Sequence, residues 1–414
     1  MQAARARWVV LGSLVLLMAL GLGLWSQFTP RAGAEAGRGP IVIGMLHAVS
    51  GPSAKTDAPL LAAARLAVEE INAGGGLLGR PVELKVEDSR ADPRVAAAAA
   101  ERLITLDHAV ALFGCGSSSC RLAVKPVVEA RRHLLFYPLA YEGMEQSAHI
   151  VYTGPTPNQQ ALPAADWALR GFGRRIYLVG TDSVYPRHLG VVLRDFVMLG
   201  GGQVLGERYV APGADFNEVV ADLNRLQPDV VLSSVSGDSN RAFFDALVAA
   251  GLNRLPLLSY AAAEPEMKAF DGGRLDRHFT AWGYLQSLPG PANEAFLTRL
   301  RHSQGEGVEA SDAAVATYVA VHLWAAAVRE VRSPQTEAVN ANVPHQTVAS
   351  PQGFAALDSQ TRHLWRQLRI AQVKPGGQLA EVVLMPRFIR PEPWPSFRST
   401  EHWAGALAGS EVKR

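Results

Sequence analysis

"VALFGCGSSSCRLAVKPVVEARRHLLFYPLAYEG", residues Val110–Gly143, decides the fold. Two apolar runs, "VALFG" and "LLFYP", are short and bounded by Gly and Pro, which reads as buried strand. The segment between them has helix length and an apolar stripe, and Pro126 is expected to kink or divide it. Strand, helix and strand in this order predict a parallel βαβ unit. The unit ends on a corner, "FYPLAYEG" (Phe136–Gly143), where Tyr137, Tyr141 and Glu142 surround Pro138-Leu139-Ala140. A corner at the C-terminal end of a strand is a usual place for a small-molecule pocket in an open α/β sheet.

The rhythm extends in both directions. "IVIGML" (Ile41–Leu46), "VELKVED" (Val82–Asp88), "RIYLVG" (Arg175–Gly180), "QVLGERYV" (Gln203–Val210), "DVVLSS" (Asp229–Ser234), "LPLLSY" (Leu255–Tyr260) and "FTAWGY" (Phe279–Tyr284) read as strands. Helical stretches fall between them; one starts at Asp92-Pro93, with Asp as cap and Pro in the first turn. Further helices are expected over Gln159–Gly171 and Ser311–Val331. The fold class is therefore α/β. There are more strands than one sheet holds comfortably, so two sheets and two lobes are expected. Val331–Gln352 has weak periodicity and predicts a loop, and "RPEPWPSF" a Pro-rich surface strap.

The chain has 414 residues, 48% of them hydrophobic and 19% charged, with a net charge of +2. This balance suits a globular protein and offers no basic cluster for nucleic acid. Met1–Arg7 carries two arginines and no acid, and Trp8–Trp25 is apolar apart from Ser13. "AGA" (Ala32–Ala34) fits a small-x-small cleavage site. We read residues 1–34 as an export signal, with an uncleaved membrane anchor as the competing reading, and 35–40 as a linker. Either way the body lies outside the cytoplasm. The only two cysteines, Cys115 and Cys120, form a disulfide or are two small buried thiols.

Enzyme chemistry finds little support. "GCGSSSC" is no nucleophile elbow, and no local His pairs with a serine or cysteine. Metal spacings are absent, and the glycine runs end helices instead of cradling phosphates. No cofactor is called for. The polar loops that remain follow predicted strands: "HAVSG", "CGSSS", "YPLAYEG", "TDSVYP", "SVSGDS" and "AAAEPE". In open parallel sheets such loops converge on a crevice, which implies a binding cleft with no catalytic constellation.

"GMLHAVSG", "AVEEINAGGGLLGR", "FGC", "LLFYPLAYEG", "IVYTGPTPNQQALPA", "GTDSVYPR", "GDSNRAFF" and "IRPEPW" together resemble the urea- and short-chain-amide-binding subgroup of type I periplasmic binding proteins. The resemblance runs from about Ile41 to about Trp394. It implies two Rossmann-like lobes with a hinge and a central ligand cleft. Lobe 1 would comprise residues 41–157 and 288–332, lobe 2 residues 158–287 and 333–395, with 396–414 as a C-terminal tail. It also implies that Ser118, Tyr137 and Tyr185 contact an amide-like ligand, with Ser117 beside them. Leu139 and Ala140 would line the corner. Glu142 would hold the loop through backbone N–H groups, and Asp182 would accept from an amide or cap a helix. Gly116 departs from the pattern, since relatives carry an aromatic residue there; losing that wall would enlarge the pocket. The implied protein is a periplasmic solute-binding component of an ABC importer, with permease and ATPase partners and urea, a short amide or a related small neutral solute as ligand. An extracytoplasmic ligand sensor is the alternative, and an amidohydrolase using Ser118 or Cys115 the remote one.

Overall fold

The computed structural model describes residues 39–409 except 52 and 270–273, so the expected export signal lies outside the described residues. From Pro40 onward the chain builds two sheets. No helix among the described residues is long and apolar enough to cross a membrane.

The first sheet starts with β1 (Ile41–His47), β2 (Val82–Asp88), β3 (Leu112–Gly114), β4 (Leu135–Tyr137) and β5 (Ile150–Tyr152). All pair in parallel, with Ile41 opposite Val82 and Leu112 opposite Leu135. The connecting helices are α1 (Ala54–Ala73), α2 (Pro93–Thr105) and α3 (Ser118–Ala130). α2 begins as expected: the Asp92 side chain accepts from the amides of Arg94 and Val95, and Pro93 fills the first turn. α3 runs on through Pro126 instead of dividing there.

The second sheet holds β6 (Arg175–Thr181), β7 (Gln203–Val210), β8 (Val230–Ser234), β9 (Leu257–Ser259) and β10 (His278–Trp282), again parallel. Its helices are α4 (Ala161–Phe172), α5 (Val184–Leu199), α6 (Asn217–Leu226), α7 (Ser239–Ala249) and the short α8 (Glu264–Ala269). The chain then returns to the first lobe for α9 (Pro291–Gln304) and α10 (Asp312–Val331). α10 is apolar almost all round and packs on the first sheet. There Trp324 meets Phe113 edge-on (6.2 Å), and Phe113 stacks on Phe136 (4.7 Å). Each such fully buried aromatic contributes about 2–3 kcal/mol.

The C-terminal quarter departs from expectation. Val331–Gln352 is not a loop: it carries α11 (Thr336–Asn342) and β11 (Thr347–Ser350). β11, β12 (Gly353–Asp358) and β13 (His363–Leu364) extend the first sheet, where His363 pairs with Tyr152. Residues 347–364 therefore belong with the first lobe, not the second. Only β14 (Arg366–Val373) and β15 (Leu379–Ile389) join the second sheet, both antiparallel. α12 (Thr400–Gly409) closes the described chain. The chain thus crosses between lobes three times: after β5, after β10, and between β13 and β14.

Candidate functional site

The site grows from the turn between β3 and α3. Cys115 takes a left-handed backbone (φ +70°) and is disulfide-bonded to Cys120, their Cα atoms 5.3 Å apart. Ser117 caps α3, its Oγ accepting from the Cys120 amide at 3.1 Å. With the helix start fixed, Ser118 and Arg121 point inward, one turn apart and both buried.

Arg121 is fully buried and donates from three nitrogens: Nε to Glu145 Oε1 (2.9 Å), NH1 to Ser118 Oγ (2.9 Å) and NH2 to Glu142 Oε1 (2.8 Å). Ser118 Oγ in turn donates to Glu142 Oε2 at 2.6 Å. Tyr152 donates to Glu145 Oε1 at 2.8 Å, and Lys125 stands 3.5 Å from its other oxygen. The guanidinium also lies 5.0 Å from the Tyr137 ring centroid and 4.8 Å from that of Tyr141. Burial alone would raise the Glu145 pKa, but Arg121 and Lys125 outweigh it and hold the carboxyl below its ordinary range. This buried cation is therefore committed to two carboxylates and a hydroxyl.

The corner after Tyr137 is a joint between lobes. Leu139 packs on the first lobe's core and Ala140 on the second's. Gly154 runs against the corner so closely that a Cβ there would stand 1.9 Å from Leu139 O. The "PNQQ" segment staples the crossovers. Gln159 donates to Leu364 O (2.8 Å) and Ile389 O (2.9 Å), Gln160 to Ala281 O (2.7 Å), and Asn158 to Arg390 O (2.8 Å). The Pro-rich strap closes on the corner: Met144 N donates to Pro393 O at 2.5 Å. The family-like strings thus mark the hinge as much as the cleft.

The second lobe contributes Tyr185, from the first turn of α5, and Tyr260, just after β9. Burial raises the Tyr137 pKa to about 12, with Glu142 pushing the same way and Arg121 opposing. Burial raises Tyr185 too, and Glu142 and Tyr137 add to it, so Tyr185 faces the first lobe. Tyr260 is raised by burial and by Tyr185. Burial lowers the His188 pKa, against the pull of Glu142. Tyr137 and Tyr185 thus feel Glu142 from two lobes, and Tyr260 stands behind Tyr185. Ser118 donates to Glu142, and Arg121 to Glu145, Glu142 and Ser118; both also lie close enough to the Tyr137 hydroxyl to lower its pKa. The buried hydroxyls of Tyr137 and Tyr260 have no hydrogen-bond partner among the described residues. Buried polar groups in native proteins are nearly always satisfied, so these two hydroxyls are open to a further partner.

Of the residues singled out from sequence, Ser118, Tyr137, Tyr185 and Leu139 gather here. Ser117 is exposed and occupied as a cap. Asp182 stands apart, its Oδ1 accepting from Arg187 Nε at 2.5 Å, a bond that lowers its pKa. Glu142 holds the loop through Ser118 and Arg121 instead of backbone amides. Gly116 does not open the pocket: a Cβ there would lie 2.4 Å from Asp57 Oδ2, so that carboxylate fills the space. Asp57 is anchored by Ala48 N (2.8 Å) and His47 Nδ1 (3.1 Å).

Sequence reasoning missed Arg121, Glu145, His188 and Tyr260. One signal was present for Arg121: it shares the buried stripe of α3 with Val124 and Val128. An open hollow of about 560 Å³ on the second lobe, lined by Arg187, Glu207 and Tyr209 among others, contains none of the gathered residues. No group of His, Cys, Asp and Glu suited to a metal ion occurs among the described residues.

Comparison with known proteins agrees with this architecture. A family model described as a periplasmic binding protein domain matches residues 41–400. The chain is similar to the Leu/Ile/Val-binding protein BraC3 of Rhizobium johnstonii, 26% identical over 212 residues, 49% of this chain and 55% of that protein. It is similar to Leu/Ile/Val-binding protein homolog 8 of Brucella abortus, 26% identical over 261 residues, 60% of this chain and 63% of that one. The chain thus spans 55–63% of the length of these curated relatives. Among solved structures, the solute-binding protein of an ABC transporter from R. palustris in complex with benzoate superposes with a TM-score of 0.77 at 20% identity, covering 86% of this chain and 99% of that one. LivJ from Streptococcus pneumoniae in complex with isoleucine gives 0.73 at 18% identity, covering 85% and 100%. At such identities the likeness is one of fold: two α/β lobes.

Proposed function

The chain belongs to the periplasmic binding protein family, and we propose that it is the solute-binding component of an ABC importer. It would work in the periplasm, closing its lobes on a solute and delivering it to a permease driven by an ATPase. The ligand we favour is urea, a short amide or a related small neutral solute.

One observation carries the choice of ligand. The buried cation at the cleft, Arg121, is already committed to Glu142, Glu145 and Ser118. A carboxylate ligand, such as an amino acid or benzoate, would arrive beside Glu142 with no uncommitted arginine to receive it. A neutral amide has an acceptor for a phenol and N–H groups for a carboxylate or phenol oxygen. The orphan hydroxyls of Tyr137 and Tyr260 supply such partners from both lobes, so the ligand would also hold the lobes together. A site whose buried groups must all be paired discriminates steeply against a ligand that leaves one unpaired.

The names of the curated relatives favour a second reading, a branched-chain amino acid. Calorimetric titration with urea, formamide, acetamide, propionamide, leucine and benzoate separates the two. Binding of a neutral amide, with none for leucine or benzoate, supports the proposal; the reverse order overturns it. Release of ammonia from acetamide would instead reveal an amidohydrolase.

A further inference from the structure

A second groove, about 480 Å³, lies between the lobes beside the crossover that follows β10, and none of the three phenols lines it. It is built from both lobes: Glu264 and Lys268 belong to α8, Leu297 and Arg301 to α9, and Glu309 to the segment before α10. Gln286, in the crossover, fixes its acids. The Gln286 amide donates to Glu264 Oε1 at 2.6 Å, and its side chain to Glu309 Oε2 at 2.5 Å. Lys268 pairs with the other oxygen of Glu309.

Two groups remain uncommitted. Glu264 is only 6% exposed, and its Oε2 has no partner among the described residues. The Arg301 side chain is half-buried and makes no hydrogen bond or ion pair among the described residues, though its charge reaches Glu309 and helps to lower that carboxyl's pKa. Lys268 and Glu309 cancel, so with Glu264 protonated Arg301 leaves the groove one positive charge in excess. Burial pushes the Glu264 carboxyl up to about 8, with Asp312 and Glu266 acting in the same direction. It is therefore mostly protonated at neutral pH and offers an O–H. The groove presents unused donors and a surplus cation, with the Leu297 and Leu379 side chains as apolar wall.

We infer that this groove binds a small organic carboxylate, its oxygens held by Arg301 and Glu264 and its short apolar part set against Leu297 and Leu379. Because Arg301 and Glu264 come from different lobes, an occupied groove would tie the lobes together independently of the cleft.

The test is calorimetric titration of the protein with sodium butyrate, butyramide and sodium chloride. Wild type is expected to bind butyrate and not chloride. Arg301→Gln should weaken butyrate at least about tenfold, the loss of a charged hydrogen bond, and leave any butyramide binding unchanged. The charged groups around Glu264 are Lys268, Arg301, Glu309, Asp312 and Glu266. Ionisation of Glu264 itself should make wild-type affinity for butyrate fall between pH 7 and 9, a fall that Glu264→Gln abolishes. Tyr137→Phe should leave butyrate binding intact. No binding of butyrate by wild type, equal affinity in Arg301→Gln, or loss of butyrate binding in Tyr137→Phe would each overturn the inference. The last result would mean that the cleft itself takes carboxylates.

Discussion

Ser118 Oγ donates to Glu142 Oε2 at 2.6 Å, joining the first turn of α3 to the corner that follows β4. Arg121 completes the triangle, bonded to both, and carries Glu145 as well. Removing the guanidinium leaves Glu142 with only the Ser118 hydroxyl and Glu145 with only Tyr152 and the more distant Lys125 to offset a buried charge. Arg121→Met should cost about 3–5 kcal/mol of folding stability, the usual penalty for breaking one side of a buried ion pair. Urea denaturation measures it. A loss below about 1 kcal/mol would show that the network does not hold the corner.

The contact of Gly154 with Leu139 O leaves no room for a methyl group. Gly154→Ala must displace the first crossover or the corner, at a cost on the order of 3 kcal/mol and a drop of several degrees in Tm. A melting temperature within a degree of wild type would contradict this close approach.

Much of this architecture is legible in the sequence, because parallel strands buried on both faces read as uninterrupted apolar runs. Ile41–Leu46 and Ile176–Gly180 are such runs, and the corner "YPLAYEG" announces itself by its aromatic residues. β14 and β15 are harder to see. They are antiparallel, and β15 leaves Val382, Leu384 and Phe388 exposed, so apolar character there does not mark the core. The association of residues 347–364 with the first sheet rests on long-range pairing that no local pattern encodes. Within the site, the tyrosines stood out, but Arg121 did not: an arginine in a helix ordinarily reads as surface. Its partners Glu142 and Glu145 lie more than twenty residues away and become neighbours only when β4 pairs beside β3. The role of Asp57 beside Gly116 was equally invisible, since it depends on α1 packing over the β3–α3 turn.

His363 sets an acid limit. Its Nδ1 lies 2.6 Å from Thr361 O and must donate to it, so Nε2 accepts from the Tyr141 hydroxyl at 2.6 Å. The ring also stacks on Tyr152 (4.2 Å). Burial lowers its pKa to about 3 from an ordinary 6.5. The unfolded chain therefore binds a proton below pH 6.5 that the folded protein refuses. Its stabilisation is complete above pH 6.5 and is lost as pH falls toward 3, amounting to about 2 kcal/mol at pH 5. Unfolding free energies at pH 7 and 5 should differ more in wild type by that amount than in His363→Gln; equal slopes would contradict the assignment.

The Cys115–Cys120 disulfide closes a short loop, with a sequence separation of 5. Loop-closure entropy for a ring of that size gives it about 2 kcal/mol. Paired melts of the oxidised protein and of Cys115→Ser/Cys120→Ser should differ accordingly. Because the bond holds the turn that presents Ser118, ligand affinity should fall too; unchanged affinity would separate that turn from the cleft.

The central claim is that the orphan phenols await a solute, and Tyr137→Phe tests it most directly. The Tyr137 hydroxyl has no partner among the described residues, so its removal should leave unfolding free energy unchanged within about 0.5 kcal/mol or slightly raise it. Titration of the same variant with the preferred amide should show affinity reduced about tenfold, the loss of one hydrogen bond made only to ligand. Stability retained with affinity lost is the predicted result. Stability lost with affinity retained would place that hydroxyl in the fold and contradict the account.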